Sequence, residues 1–337
     1  MRRTSVSLAV AVLAVLLFVT EVAIPTRGGT APAAGPDGAD NATLTAQLDT
    51  AVRAYNDAKG RLDAARQRQA ALATQAQATE VQMAVLGKEV DAAVVTAYKG
   101  GRIRGLTVLL GSTSVGDFLD RATRLQAQVS RDNRALRDMR AARQRYGQQR
   151  AAIDAEVATQ RSQLALMDAK RKQAEKALAA ARSGAVTTGP SGGTASATSA
   201  PRNADGSWPK ESCSAKDPTT SGCLTPRTLH AYQQAGKAGF THYTKCFRNG
   251  GSGEHPLGRA CDFSANASTF VNARATGADK AYGDRLAAWF LANADRLAVL
   301  YVIWYKRIWL PGSGWRSYGG DGTPAGDHYN HVHLSVQ

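Results

Sequence analysis

The chain closes on DHYNHVHLSV (327–336), a stretch that holds three of its six histidines, His328, His331 and His333. The alternating His331-Val332-His333 runs into Leu-Ser-Val and reads as a strand, which turns both imidazoles to one face. A second group lies upstream in GEHPLGRACDF (253–263). His255 falls in a loop, and Gly258 permits a close approach of backbone. Asp262 shares a strand face with Ala260, while Cys261 points to the other side. His255, Asp262 and one histidine of the alternating strand offer two imidazoles and a carboxylate. Such a set leaves one tetrahedral position of zinc open for water, the pattern of catalytic rather than structural sites. Any one of these histidines alone reads as a packed or surface residue; four with the aspartate, at these spacings, read as a metal site. His230 and His242 have no partner in the pattern and are expected to be structural. Trp304, Trp309 and Trp315 read as core and groove wall, with Tyr318 and Asp327 as weaker cleft candidates.

The H-x-x-G-x-A-x-D of 255–262, followed by the distal H-x-H of 331–333, resembles the zinc D-Ala-D-Ala peptidases and their relatives. That superfamily includes lysostaphin-type endopeptidases, D,D-carboxypeptidases and the hedgehog fold. The longer H-x-x-H-x-H, here His328, His331 and His333, resembles the penicillin-insensitive murein endopeptidase and secreted D,D-carboxypeptidase branches. The resemblance covers only the C-terminal domain. It implies that His255, Asp262 and His333 bind zinc, that His331 is the base or orients the water, and that His328 polarises the tetrahedral intermediate. It also implies an arginine for the substrate's terminal carboxylate, for which Arg248 and Arg259 are the candidates. The chain departs from the pattern in two places. Gly253 stands where many relatives have serine, with Ser252 one further back. Asn330 and His331 stand where many carry the Glu-x-x-His pair, so the usual glutamate base is missing.

The elements that must position these residues differ along the chain. At 337 residues it has room for two or three domains, and 42 Lys+Arg against 27 Asp+Glu give a net charge of +15. Such charge suits nucleic acid or an anionic envelope. The N-terminus favours the envelope: Arg2 and Arg3 precede an apolar run from Val6 to Val19, short for a spanning helix and laid out like a secretory signal. Residues 1–23 are therefore a signal peptide or a retained N-terminal anchor, and 24–40 read as disordered. Four cysteines in an exported chain predict disulfides. Of three possible connectivities, Cys213–Cys223 and Cys246–Cys261 close short loops and are favoured. Zinc ligation by thiolates lacks a C-x-x-C pair.

Residues 41–182 contain no proline or cysteine and carry two long helical patterns. One runs through Leu48, Ala51, Tyr55, Ala58, Leu62, Ala65, Gln69 and Leu72. The other runs through Leu125, Val129, Asp132, Leu136, Met139, Arg143, Tyr146, Arg150, Ile153, Val157, Gln160, Leu164 and Met167. The 3-4 spacing predicts an antiparallel coiled coil with a weak seam, reversing at a Gly-rich tip over 97–121. That tip reads either as a simple reversal or as a docking head for a membrane-protein partner. The coil resembles the coiled-coil segments of division-associated murein hydrolases and their activators. Residues 183–206 have the Gly/Ser/Thr/Ala/Pro composition of a flexible linker. Residues 207–337, with every cysteine, histidine and tryptophan, read as an α+β domain containing a helix over 278–297 and a buried strand over 299–309.

The expectation is thus an exported, envelope-associated zinc peptidase of α+β fold behind a long coil, acting on peptidoglycan stem peptides. The alternative is a non-catalytic murein-binding scaffold or activator of other hydrolases. Export and the lack of a basic–aromatic motif argue against nucleic acid.

Overall fold

The computed structural model describes residues 42–100, 104–181 and 183–337. The apolar N-terminal segment, the stretch 24–40 and Gly101 of the expected tip lie outside the described residues. The chain is α+β: a long helical region precedes an antiparallel sheet domain.

Helix α1 (Ala42–Gly100) and helix α3 (Val115–Ala180) pack side by side, with the short α2 (Arg104–Leu110) between them. The pair is antiparallel, because Arg68 meets Glu156 at 2.7 Å while Gln82, further along α1, meets Arg145, earlier in α3. Ser114 caps α3 by accepting from the Asp117 amide. The α1 seam is as expected: Leu48, Ala51, Ala58, Leu62 and Ala65 are buried, and the stripe continues to Ala76 and Thr79.

In α3 one of the two expected columns is displaced by a residue. Met139 is buried, but Leu136 is 37 % and Leu164 is 48 % exposed, and Arg143 and Arg150 lie in solvent. The inward column is instead Ala135, Ala142, Gln149 and Gln163. Small alanines let the helices approach closely, so bulk did not mark the seam. Gln69 and Gln160 hydrogen-bond across it at 2.6 Å. At the far end Leu106, Leu110, Val115, Phe118 and Leu119 are exposed.

The domain holds two sheets. A hairpin of β1 (Ala215–Lys216) and β2 (Cys223–Leu224) carries the disulfide Cys213–Cys223. The main sheet has the order β3-β4-β8-β5-β6-β7, all antiparallel. Its strands are β3 (Thr244–Lys245), β4 (Ala260–Ser264), β5 (Val299–Trp304), β6 (Arg307–Leu310), β7 (Gly314–Ser317) and β8 (His331–Val336). Helices α4 (Pro226–Lys237) and α5 (Gly277–Ala292) cover one face. That face takes Cys261, Phe263, Val302, Val332, Leu334 and Val336 into the main core. The strand alternation sends Asp262, His331 and His333 to the other face.

The coil base covers part of that second face. Leu48, Ala51, Val52, Ala174, Ala177 and Leu178 form one core with Tyr301, Ile303, Ile308, Leu310 and Tyr318. Asn56 donates to the Val299 carbonyl at 3.0 Å, and Asp57 accepts from the Trp208 amide and the Gln337 side chain.

Two further expectations are corrected. Residues 183–206 form no loose tether. The segment runs extended across the domain, with Ala197 and Ala200 buried. Its backbone is held by Ser317, Trp315, Asn293, Gln234 and Arg296. The expected single strand over 299–309 is a hairpin, β5 and β6 joined at Tyr305-Lys306, whose φ values are 55° and 61°. Such a two-residue turn prefers Asn or Gly. Here the carbonyls of His328 and Asp327 accept from the two amides and fix it from outside.

Candidate metal centre

The β4–β8 register places Asp262 directly opposite His333 and Ser264 opposite His331. Asp262 and His333 are therefore cross-strand neighbours on one face, and His331 lies one pleat further along. His255 arrives from the preceding loop, where the Gly258 amide donates to the His255 carbonyl and the Thr225 amide to the Gly258 carbonyl. Gly258 sits at φ +68°, and a Cβ there would strike Cys213 Sγ and the Cys223 carbonyl. The glycine thus allows the first disulfide hairpin to press against the loop that carries His255.

Three ligand atoms converge. His333 Nδ1 lies 2.9 Å and His255 Nε2 3.2 Å from Asp262 Oδ1, and the two nitrogens are 3.2 Å apart. These atoms fall within 4.8 Å of one another and form a group able to hold a metal ion. The tautomers fit. His255 Nδ1 faces the Cys246 carbonyl, which only accepts, so the hydrogen is on Nδ1 and Nε2 presents a lone pair to the cluster. His333 Nε2 faces Ser335 Oγ at 2.8 Å, leaving Nδ1 toward Asp262. Two imidazole nitrogens and a carboxylate oxygen, all acceptors, are complementary to a cation at their centre.

The cluster is secluded. His255 is 1 % and His333 0 % exposed, while Asp262 keeps 14 % of its side chain accessible. Burial opposes ionisation of Asp262. The adjoining imidazoles of His255, His331 and His333 outweigh it and hold the carboxyl well below its usual range. The Cys246–Cys261 disulfide joins the residue whose carbonyl holds His255 to the residue before Asp262.

His331 points Nε2 at Asp262 Oδ1 from 3.5 Å, and its Nδ1 faces the Asn330 side-chain oxygen at 2.8 Å. Asn330 is fixed in turn by donating to the Val271 carbonyl. His328 packs its ring 4.6 Å from His331 and 5.6 Å from His333, with Tyr318 edge-on at 5.1 Å. Burial, then the two neighbouring imidazoles, push its pKa well below the ordinary histidine value, so it is neutral at physiological pH. Its φ of 53° is rare for a non-glycine residue and sits at the edge of the cluster.

The two arginine candidates separate. Arg248, half exposed, reaches within 3.9 Å of Asp262 Oδ2 at the open side. Arg259 turns away to Glu254 at 3.7 Å. Asp327 is buried and pairs with Lys306 at 3.1 Å. His230 bonds the Thr198 carbonyl, and His242 bonds the Ala265 carbonyl and stacks on Tyr282. Sequence reasoning missed Asn330 and Ser335 as orienting groups. Ser335 was legible, two residues beyond His333 on the same strand face. It also missed Tyr301, which stacks on His333 at 5.6 Å.

Comparison with known proteins gives one partial likeness. The family model described as VldE, C-terminal domain, matches residues 220–329, less than half of the chain. The span includes His255, Asp262 and His328 and stops before His331. No curated protein and no solved structure matches the chain.

Proposed function

We propose that the chain is an exported zinc peptidase that hydrolyses the stem peptides or cross-links of peptidoglycan. The observation that carries this reading is the convergence of His255 Nε2, Asp262 Oδ1 and His333 Nδ1 within 4.8 Å. Two imidazoles and one carboxylate suit zinc in a three-protein-ligand site. When bound, zinc lowers the pKa of its water to about 7 and polarises the scissile carbonyl.

The chain's own groups do the rest. Ser335 and the Cys246 carbonyl fix the ring orientations of His333 and His255. His331, oriented through Asn330, accepts the proton of the attacking water and delivers it to the leaving amine. His328, neutral and with its Nδ1 hydrogen turned to the Gly326 carbonyl, packs beside His331 and keeps that ring in place. Arg248 stands at the open side, where it meets a substrate carboxylate. Two disulfides support an oxidising compartment. The net charge of +15 supports a polyanionic wall as partner, and the exposed apolar coil tip supports a membrane-protein contact.

Incubation of the full chain with purified peptidoglycan tests the reading. New amino termini should be released, release should stop with a chelator, and added zinc should restore it. Binding without release under every zinc condition would favour the non-catalytic scaffold.

A further inference from the structure

Two adjoining hollows of about 390 and 940 Å³ lie beyond the ligand cluster and share Lys280 and Arg307 as walls. The smaller starts beside the histidines: Tyr318, one of its walls, is the residue packed edge-on to His328. The larger continues along α5 beneath the extended segment 188–194. Sharing these walls, the two hollows form one groove, which Tyr318 separates from the histidine cluster by the thickness of its ring.

The walls of this groove are cationic. Lys280 and Lys306 are paired, with Asp284 at 2.7 Å and Asp327 at 3.1 Å. Arg274, Arg285 and Arg307 lie within ion-pair distance of no carboxylate among the described residues. Arg274 is pre-positioned. Its guanidinium stacks 4.3 Å over Tyr329 and 4.7 Å over Tyr305, and Nε donates to the Tyr305 hydroxyl at 2.9 Å. Holding an arginine by its face and by Nε leaves the outer fork directed outward, the geometry that matches a carboxylate bidentately. Three arginines without counter-ions along one groove repel one another, a cost that an anionic occupant removes.

We propose that this groove binds the peptide carboxylates of a peptidoglycan strand and holds it while one stem peptide enters the ligand cluster. The inference rests on the peptidoglycan reading given above. It adds a binding site outside the cluster, with Arg274 and Arg307 as its main contacts.

Co-sedimentation of the full chain with insoluble peptidoglycan, in chelator so that no cleavage intervenes, tests it. Native wall is compared with wall whose carboxyls have been amidated, and with wall stripped of phosphate-linked polymers by acid. Wild type should bind native and stripped wall alike and amidated wall on the order of tenfold more weakly, with binding falling as salt rises. Arg274→Glu with Arg307→Glu should lose a similar factor on native wall and no longer distinguish amidated wall. Arg274→Lys with Arg307→Lys keeps the charge but not the bidentate fork. It should bind native wall more weakly than wild type, more tightly than the glutamate variant, and still prefer it to amidated wall, separating charge from folding. Equal binding of native and amidated wall by wild type would overturn the proposal, as would binding lost on stripping. Failure of wall hydrolysis with the carboxylate preference intact would instead count against the peptidase reading alone.

Discussion

Arg53 of the coil donates to Glu254 at 2.8 Å, and Glu254, 2 % exposed, is the residue immediately before His255. A buried carboxylate beside a candidate ligand is thus neutralised by a helix 201 positions away in sequence. The helical region is built into the site's surroundings.

Arg53→Ala leaves Glu254 with only the longer contact to Arg259, 3.7 Å away. An under-compensated buried charge costs about 1–3 kcal/mol. Denaturant unfolding should show that loss, and a double-mutant cycle with Glu254→Gln should give a coupling of about 1 kcal/mol or more. A coupling near zero would make the contact incidental.

The helical seam offers a test of register. Ala142 is fully buried and Leu136 is 37 % exposed. Ala142→Leu overpacks the interface and should cost about 1–3 kcal/mol. Leu136→Ala should cost under about 1 kcal/mol. Melting curves showing the opposite ranking would restore the seam expected from the sequence.

The pairing Cys246–Cys261 closes a loop with a sequence separation of 15. Cys246→Ser with Cys261→Ser should lower stability by about 3 kcal/mol. It should also weaken metal binding, because the Cys246 carbonyl that orients His255 is no longer tied to the strand of Asp262. Calorimetric titration with zinc reads the second effect. Unchanged affinity would show that the loop holds its shape without the bridge.

Asp217 anchors the same loop by accepting from the Phe247 amide at 2.8 Å, while Thr219, held by Asp217, accepts from the Cys246 amide. Burial alone would raise its pKa. The Thr220 hydroxyl and the Phe247 and Thr219 amides outweigh burial and bring it below the ordinary value. A carboxyl depressed by folding stabilises above its unfolded pKa of about 4, and that stability is lost as pH falls through the folded value. Wild type should therefore lose stability more steeply below about pH 4 than Asp217→Asn, which should cost about 1–3 kcal/mol at neutral pH. Parallel pH curves for the two proteins would contradict the assignment.

The histidine cluster was legible because its residue types are scarce and their spacing matches strand geometry. Asp262 and His333 could be set on strand faces from the sequence, and the β4–β8 register brings them opposite each other. The α3 seam was half legible, since Ala135 and Ala142 carry little of the hydrophobic signal that Leu136 and Leu164 carry while exposed. The extended segment 183–206 was misread because a Gly/Ser/Thr/Ala composition looks the same loose or pinned. Its partners, Asn293, Gln234 and Ser317, lie far off in sequence. The Tyr305-Lys306 turn bears no turn residue, and only the backbone of His328 and Asp327 explains it.

The division of labour in the closing His-x-His is the central claim, and zinc content reads it most directly. Wild type should carry about one zinc per chain. His333→Ala should lose it, since two remaining ligands hold zinc poorly. His331→Ala should keep it and lose roughly 10²–10⁴ in rate. Zinc retained in His333→Ala and lost in His331→Ala, or absent from the wild type even after zinc is added, would contradict the account.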